Sequence, residues 1–335
     1  MDGVPLHVVV EGSGPTVVLS AGLAMAWFDW DPVAALLAAR GRTVVRFDRP
    51  GHGLSAPAAV PPSAAGEARR IAGLLDALGL GGAPATVVGH SIAGFHAEAF
   101  ARLYPGRTAA LVLVDSSVEE DPRTLLSAAV RTGAARALGR AVTAAGLPAA
   151  LGPLARRTAV RASRVPGASR ADGASRADGA SRADGSFQAP GPSRAGGSSR
   201  ADGPSRADGS SRADGGDPAD PAARDLVRRC YRTGRVWRGA LLENSRYPDM
   251  AAEVLALRAA AAGRPPTAPA CVLAGYDGSA RPGALRWLAR QADLADRLGA
   301  RFEVAEPAGH LVMLDRPDQV ARAVLGAGEL GQHPA

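Results

Sequence analysis

Ser91 stands in the stretch VVGHSIAG, residues 87–94, where an apolar run gives way to a helical pattern. A serine hydroxyl is a weak nucleophile until a base removes its proton, and the base needs an acid to orient it and to stabilise its charged form. A serine on a sharp strand-to-helix turn also needs small residues two positions to either side, because the backbone there is strained and packs tightly. Gly89 and Ala93 occupy those positions, with Gly94 next, so the stretch is one methyl group from GxSxG. The plainer reading is a polar residue at a turn.

Six histidines make the search for a base short. His7 lies in the first strand, His52 in the turn RPGHG, His90 beside the serine, His96 one turn along the next helix and His333 in the C-terminal tail. His52, His90 and His96 read as turn or core histidines. His310, in AEPAGHLVML, follows the last strand and precedes the last helix, where its ring can reach over the carboxyl edge of a sheet. The acid should leave a strand between serine and histidine. Asp277 in LAGYDGSARPG and Asp115 in LVLVDSS both do so, and both fall at the carboxyl edge, where open α/β sheets bind ligands.

The elements that must position these groups alternate. Strands are expected over 6–10, 16–20, 43–48, 85–88, 109–114, 269–274 and 301–305, and helices over 33–39, 64–78, 92–104, 283–298 and 317–325. Asp31-Pro32 marks a helix start and Pro105-Gly106 a helix stop. Nearly continuous apolar strands alternating with helices predict an α/β fold, a mostly parallel central sheet with helices on both faces.

Residues 118–265 interrupt the alternation, dividing a core of 1–117 and 266–328 from a tail of 329–335. Residues 122–165 are rich in Ala and Leu, contain eight arginines and no acidic residue, and read as helical, as do residues 217–257. Between them, residues 166–218 repeat the unit SRADGA, with almost nothing apolar, and are expected to be a disordered linker. The flanks carry Arg131, Arg156, Arg164, Arg235 and others; these arginines read either as solvated helix faces or as an attraction for an acidic substrate or surface.

Composition limits the rest. The 335 residues suit one large domain with an insertion, and a hydrophobic fraction of 46% with only 4% aromatics means a core of Ala, Val and Leu. All 39 basic residues are arginine, a bias of GC-rich coding DNA as in many bacteria, so a net charge of +7 does not by itself require an anionic partner. Nucleic-acid binding is not expected, since no aromatic platform or recognition motif is present. Cys230 and Cys271 lack metal-ligand spacing and read as reduced and structural. No segment approaches the roughly 20 apolar residues of a membrane span, and Asp2 stands where a signal peptide would be basic, so a cytoplasmic location is the default expectation.

Taken in order, RFDRPGHGLS (46–55), GHSIAG (89–94), LYPGRTAALVLVD (103–115), GYDG (275–278) and PAGH (307–310) resemble the α/β-hydrolase fold superfamily, in its lipase, esterase and peptidase-like group. The resemblance covers residues 4–117 and 269–325. It implies a catalytic triad of Ser91, Asp277 and His310, Asp277 being favoured by the family's order of nucleophile, acid and base, with Asp115 in reserve. It implies an oxyanion hole from the backbone N–H groups of Leu23 and Ile92. Many members have His-Gly before the first of these; here Ala21-Gly22 keeps the glycine and loses a bracing side chain. The insertion would be a helical lid. The implied activity is hydrolysis of a carboxylic ester of a small molecule through an acyl-enzyme, with no metal or cofactor. Amides, lactones and carbon–carbon bonds are further possibilities, and the rival is a non-catalytic binding protein. Serine at the turn argues against relatives that open epoxides with an aspartate.

Overall fold

The computed structural model describes residues 3–119, 122–165 and 221–330; the SRADGA tract and His333 lie outside them. Its apolar runs become the seven strands β1 (Val8–Glu11), β2 (Thr16–Ser20), β3 (Thr43–Phe47), β4 (Ala85–His90), β5 (Thr108–Val114), β6 (Ala270–Gly275) and β7 (Arg301–Ala305). They form one sheet in the order β1-β3-β2-β4-β5-β6-β7. Only β1 runs antiparallel, against β3; every other pairing is parallel.

β2 and β4 are buried along their whole lengths, as strands covered on both faces must be. Successive side chains point to opposite faces, so Val18, Val87, Leu111 and Val272 enter one core layer while Val17, Val88, Val112 and Leu273 enter the other. On the first face lie α2 (Ala64–Ala77), α3 (Ala93–Leu103) and α9 (Pro282–Leu298); on the second lie α1 (Asp31–Ala38) and α11 (Pro317–Leu330). Helix α2 starts cleanly because the Ser63 hydroxyl accepts the Gly66 N–H at 3.0 Å, a cap contributing about 1 kcal/mol. A short helix not anticipated from periodicity, α10 (Val312–Asp315), precedes α11, which runs beyond the expected end to Leu330.

The chain leaves the sheet after β5 and returns at β6. Between them, the described residues contain α4 (Ala128–Ala144), α5 (Leu147–Ser163), α6 (Pro221–Tyr231), α7 (Gly234–Ser245) and α8 (Tyr247–Ala260). Helix α8 packs onto α2 and α3 and sends Met250, Ala251 and Val254 into the first core layer. Helices α4 to α7 pair among themselves, α4 with α7 and α5 with α6. Where α7 crosses the turn after β3, the Gly239 and Gly51 backbones meet, and a side chain at residue 239 would overlap the Gly51 carbonyl. No helix among the described residues is long and apolar enough to cross a membrane.

Candidate active site

Three neighbouring strands end at one level. Ser20 of β2 pairs with Gly89 of β4, and His90 of β4 pairs with Val114 of β5. The next residues, Ser91 and Asp115, therefore emerge side by side. Both have left-handed backbones, with φ of 54° and 43°, a conformation that costs a non-glycine residue about 1–3 kcal/mol and persists only where its surroundings enforce it. The Ser91 N–H donates to Val114 O at 3.2 Å, and the Ser91 carbonyl accepts from Gly94 N–H at 2.9 Å and Ser117 N–H at 3.0 Å. Tight packing explains the residues around the turn. A Cβ on Gly89 would collide with the Ala93 carbonyl, and one on Gly94 with the Ser116 hydroxyl, whereas Ala93 itself fits fully buried.

His310 comes from the loop between β7 and α10. Its Nε2 lies 3.1 Å from Ser91 Oγ, and its Nδ1 lies 2.5 Å from Asp115 Oδ2. Asp115, 2% exposed, also accepts from Trp287 Nε1–H at 2.7 Å and from the Gly275 N–H at 3.0 Å through Oδ1. A carboxylate so held has one orientation, which assigns the proton on His310 to Nδ1 and leaves Nε2 free to accept from the serine. The His310 side chain remains 42% exposed.

Asp277 is not part of this arrangement. Its carboxylate accepts the Ser279 N–H at 3.0 Å and pairs with Arg281, on a partly exposed loop. The Ser279 hydrogen bonds, joined by Arg281, hold its pKa down at about 2. The two carboxylates differ in what holds them: the Gly275 N–H and Trp287 Nε1–H fix Asp115 against His310, whereas the Ser279 N–H and Arg281 hold Asp277 on its own loop. Both aspartates line an open cleft of about 380 Å³, together with His310, Tyr276, Trp287 and Ala308.

Ile92 opens α3 directly after Ser91, and Leu23 lies in the loop after β2, on the other flank of β4. That loop is braced from beneath. Arg49, just past β3, donates to the carbonyls of Ala21 and Gly22 and makes a two-pronged bond to Glu243 of α7. His90 backs the same region. Its Nε2–H donates to the His310 carbonyl at 2.8 Å, its ring centroid lies 4.7 Å from that of His310, and a Cβ on Gly22 would collide with it. Burial, with His310 beside it, keeps His90 well below the usual histidine pKa and hence neutral.

The other histidines sit apart from the serine. His52 Nε2 lies 3.2 Å from Glu243 Oε2, His7 stacks near Trp27, and His96 faces the Met250 sulfur at 3.2 Å, its pKa lowered by burial to about 3. Reading the sequence missed Arg49, Glu243, Trp287 and the contact from His90. One signal was present, since Glu243 is the single carboxylate between Asp225 and Asp249 in a segment crowded with arginine.

Known proteins resemble this chain locally in sequence and globally in shape. A bifunctional epoxide hydrolase of Mus musculus is 32% identical over 119 residues, 34% of this chain and 21% of that protein. A 2-hydroxy-6-oxononadienedioate/2-hydroxy-6-oxononatrienedioate hydrolase of Dechloromonas aromatica is 35% identical over 113 residues, 33% of this chain and 36% of its own length. RutD of Azorhizobium caulinodans, named for carbamate hydrolysis, is 34% identical over 116 residues, 35% of this chain and 43% of its own. The matches thus span less than half of each of these relatives. Among solved structures, an esterase of Thermogutta terrifontis aligns over 98% of this chain and 95% of its own, with a TM-score of 0.62 at 18% identity. An enol-lactonase of Burkholderia xenovorans LB400 aligns over 97% and 96%, with a TM-score of 0.57 at 22% identity. The family model for the alpha/beta hydrolase fold matches residues 15–317, and the chain belongs to that family.

Proposed function

We propose that the protein is a serine hydrolase of carboxylic esters or closely related acyl compounds, with Ser91 as nucleophile, His310 as base and Asp115 as the acid. The observation that carries this reading is the continuous hydrogen-bonded line from Ser91 Oγ through both nitrogens of His310 to the buried Asp115 carboxylate. Ser91 attacks the acyl carbonyl while His310 Nε2 takes its proton, and Asp115 stabilises the imidazolium that forms. Negative charge on the carbonyl oxygen is met by the N–H groups of Leu23 and Ile92, each contributing about 3 kcal/mol to the barrier reduction. The imidazolium then protonates the leaving alkoxide, leaving an acyl-Ser91. Water, deprotonated by His310, releases the carboxylic acid and restores the serine.

The serine at the turn supports acyl transfer over the epoxide opening for which the Mus musculus relative is named. Helices α4 to α7 are read as a lid that shapes the acyl pocket, a reading supported by their insertion between β5 and β6, directly above the ends of the central strands. The test is a fluorophosphonate probe followed by a panel of p-nitrophenyl esters of graded acyl length, with an anilide and a lactone alongside. Labelling that vanishes in Ser91→Ala, with ester turnover reduced at least about 10⁴-fold, is expected. Unlabelled folded protein that turns over no member of the panel would overturn the reading.

A further inference from the structure

Arg49 is 3% exposed, and a guanidinium so buried must have its N–H groups satisfied by the protein. Four of its five N–H groups have partners. Nε–H and one Nη2–H bind the two oxygens of Glu243 at 2.7 and 2.8 Å, the second Nη2–H reaches the Gly22 carbonyl at 3.0 Å, and Nη1–H reaches the Ala21 carbonyl. Met25 N–H adds a second bond to the Gly22 carbonyl at 3.2 Å.

The Gly22 carbonyl and the Leu23 N–H belong to one planar peptide unit. In a trans peptide these two groups point in opposite directions, so whatever grips the oxygen aims the N–H. A cation on the carbonyl also polarises the amide, and hydrogen bonds in series strengthen one another. The His-Gly brace of many relatives is absent, and Arg49 stands in its place from the neighbouring strand β3. Its counter-charge comes from outside the sheet. Glu243, 2% exposed, belongs to α7, and His52 lies against its second oxygen at 3.2 Å. Burial alone would raise the pKa of Glu243, yet Arg49 and His52 outweigh it and hold it well below the usual carboxylate range.

We propose that Arg49 is a positioning residue for the oxyanion donor Leu23, and that Glu243 makes its aim depend on the seating of helix α7 over the site. The inference rests on the reading of Ser91 as nucleophile and deepens it: the inserted helices supply part of the electrostatic frame in which charge on the substrate oxygen develops. With α7 seated, Glu243 clamps the guanidinium and the peptide is fixed. With α7 displaced, the clamp opens and the donor loses its direction.

The test compares Arg49→Lys and Glu243→Gln with wild type, measuring kcat, KM and inhibition by an aryl trifluoromethyl ketone, whose hemiketal oxyanion occupies the same hole. Lysine keeps the charge but has three donors on a single nitrogen, and so cannot make the two-pronged bond to Glu243 while holding both carbonyls. For Arg49→Lys, kcat falls about 10- to 100-fold and ketone affinity weakens by the same factor, while KM stays within about threefold. Glu243→Gln moves both quantities in the same direction by less, and serves alone should the arginine variant fail to fold. Arg258→Lys is the control, since it disturbs another arginine–glutamate pair, half-buried Arg258 of α8 with buried Glu98 of α3 at 2.6 Å, and leaves kcat and ketone affinity unchanged. Unchanged kcat in both variants, a kcat loss with undiminished ketone affinity, or an equal loss in the control would overturn the proposal. Failure of the wild type to label at Ser91 would instead remove the serine-hydrolase reading on which it rests.

Discussion

The sheet and the inserted helices are held by different balances of force. In the sheet, Val18, Val87, Leu111 and Val272 on one face and Val88, Val112 and Leu273 on the other are fully or almost fully buried. Each such side chain contributes about 1.5–3 kcal/mol without any directional bond. Across the insertion, Leu125, Leu126, Val130, Leu138, Leu151 and Leu154 remain exposed, and beyond α8 its attachment to the core joins a small apolar contact, Cys230, Tyr231 and Val236 against Ala26 and Trp27, to a set of polar ties. Arg156 pairs with Asp29, Arg164 with Asp315, Arg235 bonds the carbonyls of Gly53 and Leu54, and the Tyr231 hydroxyl donates to the Ala24 carbonyl at 2.8 Å. These ties fall on the loops around Leu23, Arg49 and His310. Three of the arginines that read from sequence as solvated faces or as a field for acidic ligands, Arg156, Arg164 and Arg235, act here as fasteners. The sheet supplies stability, and the insertion supplies aim.

The sharpest break of that comparison lies at the two aspartates. Asp115→Asn is expected to lower kcat about 10³- to 10⁴-fold, because the amide imposes the wrong histidine tautomer, whereas Asp277→Asn changes it by less than about twofold. Steady-state kinetics on one ester decides it, and the reverse order would return Asp277 to the role first expected of it.

A crossed pair tests the division of labour. Leu111→Ala, in the middle of the sheet, should cost about 3 kcal/mol in urea unfolding with kcat of the folded enzyme within about twofold. Arg164→Gln should cost only about 1 kcal/mol, its side chain being partly exposed, yet lower kcat several-fold. Arg164 reaches the Leu314 carbonyl and Asp315, and Asp315 in turn accepts the Gly309 N–H at 2.9 Å, next to His310. Parallel effects on stability and kcat in both variants would erase the distinction.

His96 marks the seam where α3 meets α8, and its effect is confined to acid pH and to stability. Its folded-state pKa of about 3 lies below the ordinary value of 6.5, so the unfolded chain binds the proton first as pH falls. Its stability contribution is complete above about pH 6.5 and is lost progressively towards pH 3, at about 1.4 kcal/mol per pH unit. Replacement by leucine should flatten this acid limb in urea titrations between pH 6 and pH 4; an unchanged slope would mean that His96 does not stay neutral in the fold.

Much of the architecture was legible locally. Strands at 16–20 and 301–305 match residue for residue, and the parallel sheet with helices on both faces follows from unbroken apolar runs such as ALVLV. Boundaries slipped where a strand continued through a polar residue, as β4 does to His90. The Ser91 turn and the His310 loop were legible because each is a short signal at the end of an element. The aspartate that faces His310 was not, because Asp115 and Asp277 look alike in sequence, each following an apolar strand, and differ in the distant groups that hold their carboxylates. Trp287 and the Arg49–Glu243 pair were hidden for the same reason, being joined to the site by contacts across 172 and 194 residues.

By itself, then, the sequence determined the elements, the strained serine and the histidine that could serve it, since periodicity and turn chemistry are properties of neighbouring residues. Only the tertiary structure decided that Asp115 faces His310 and that Arg49 grips the Gly22 peptide. Those outcomes depend on which loops and helices meet over the edge of the sheet, and they arise from hydrogen bonding and packing between segments far apart in the chain.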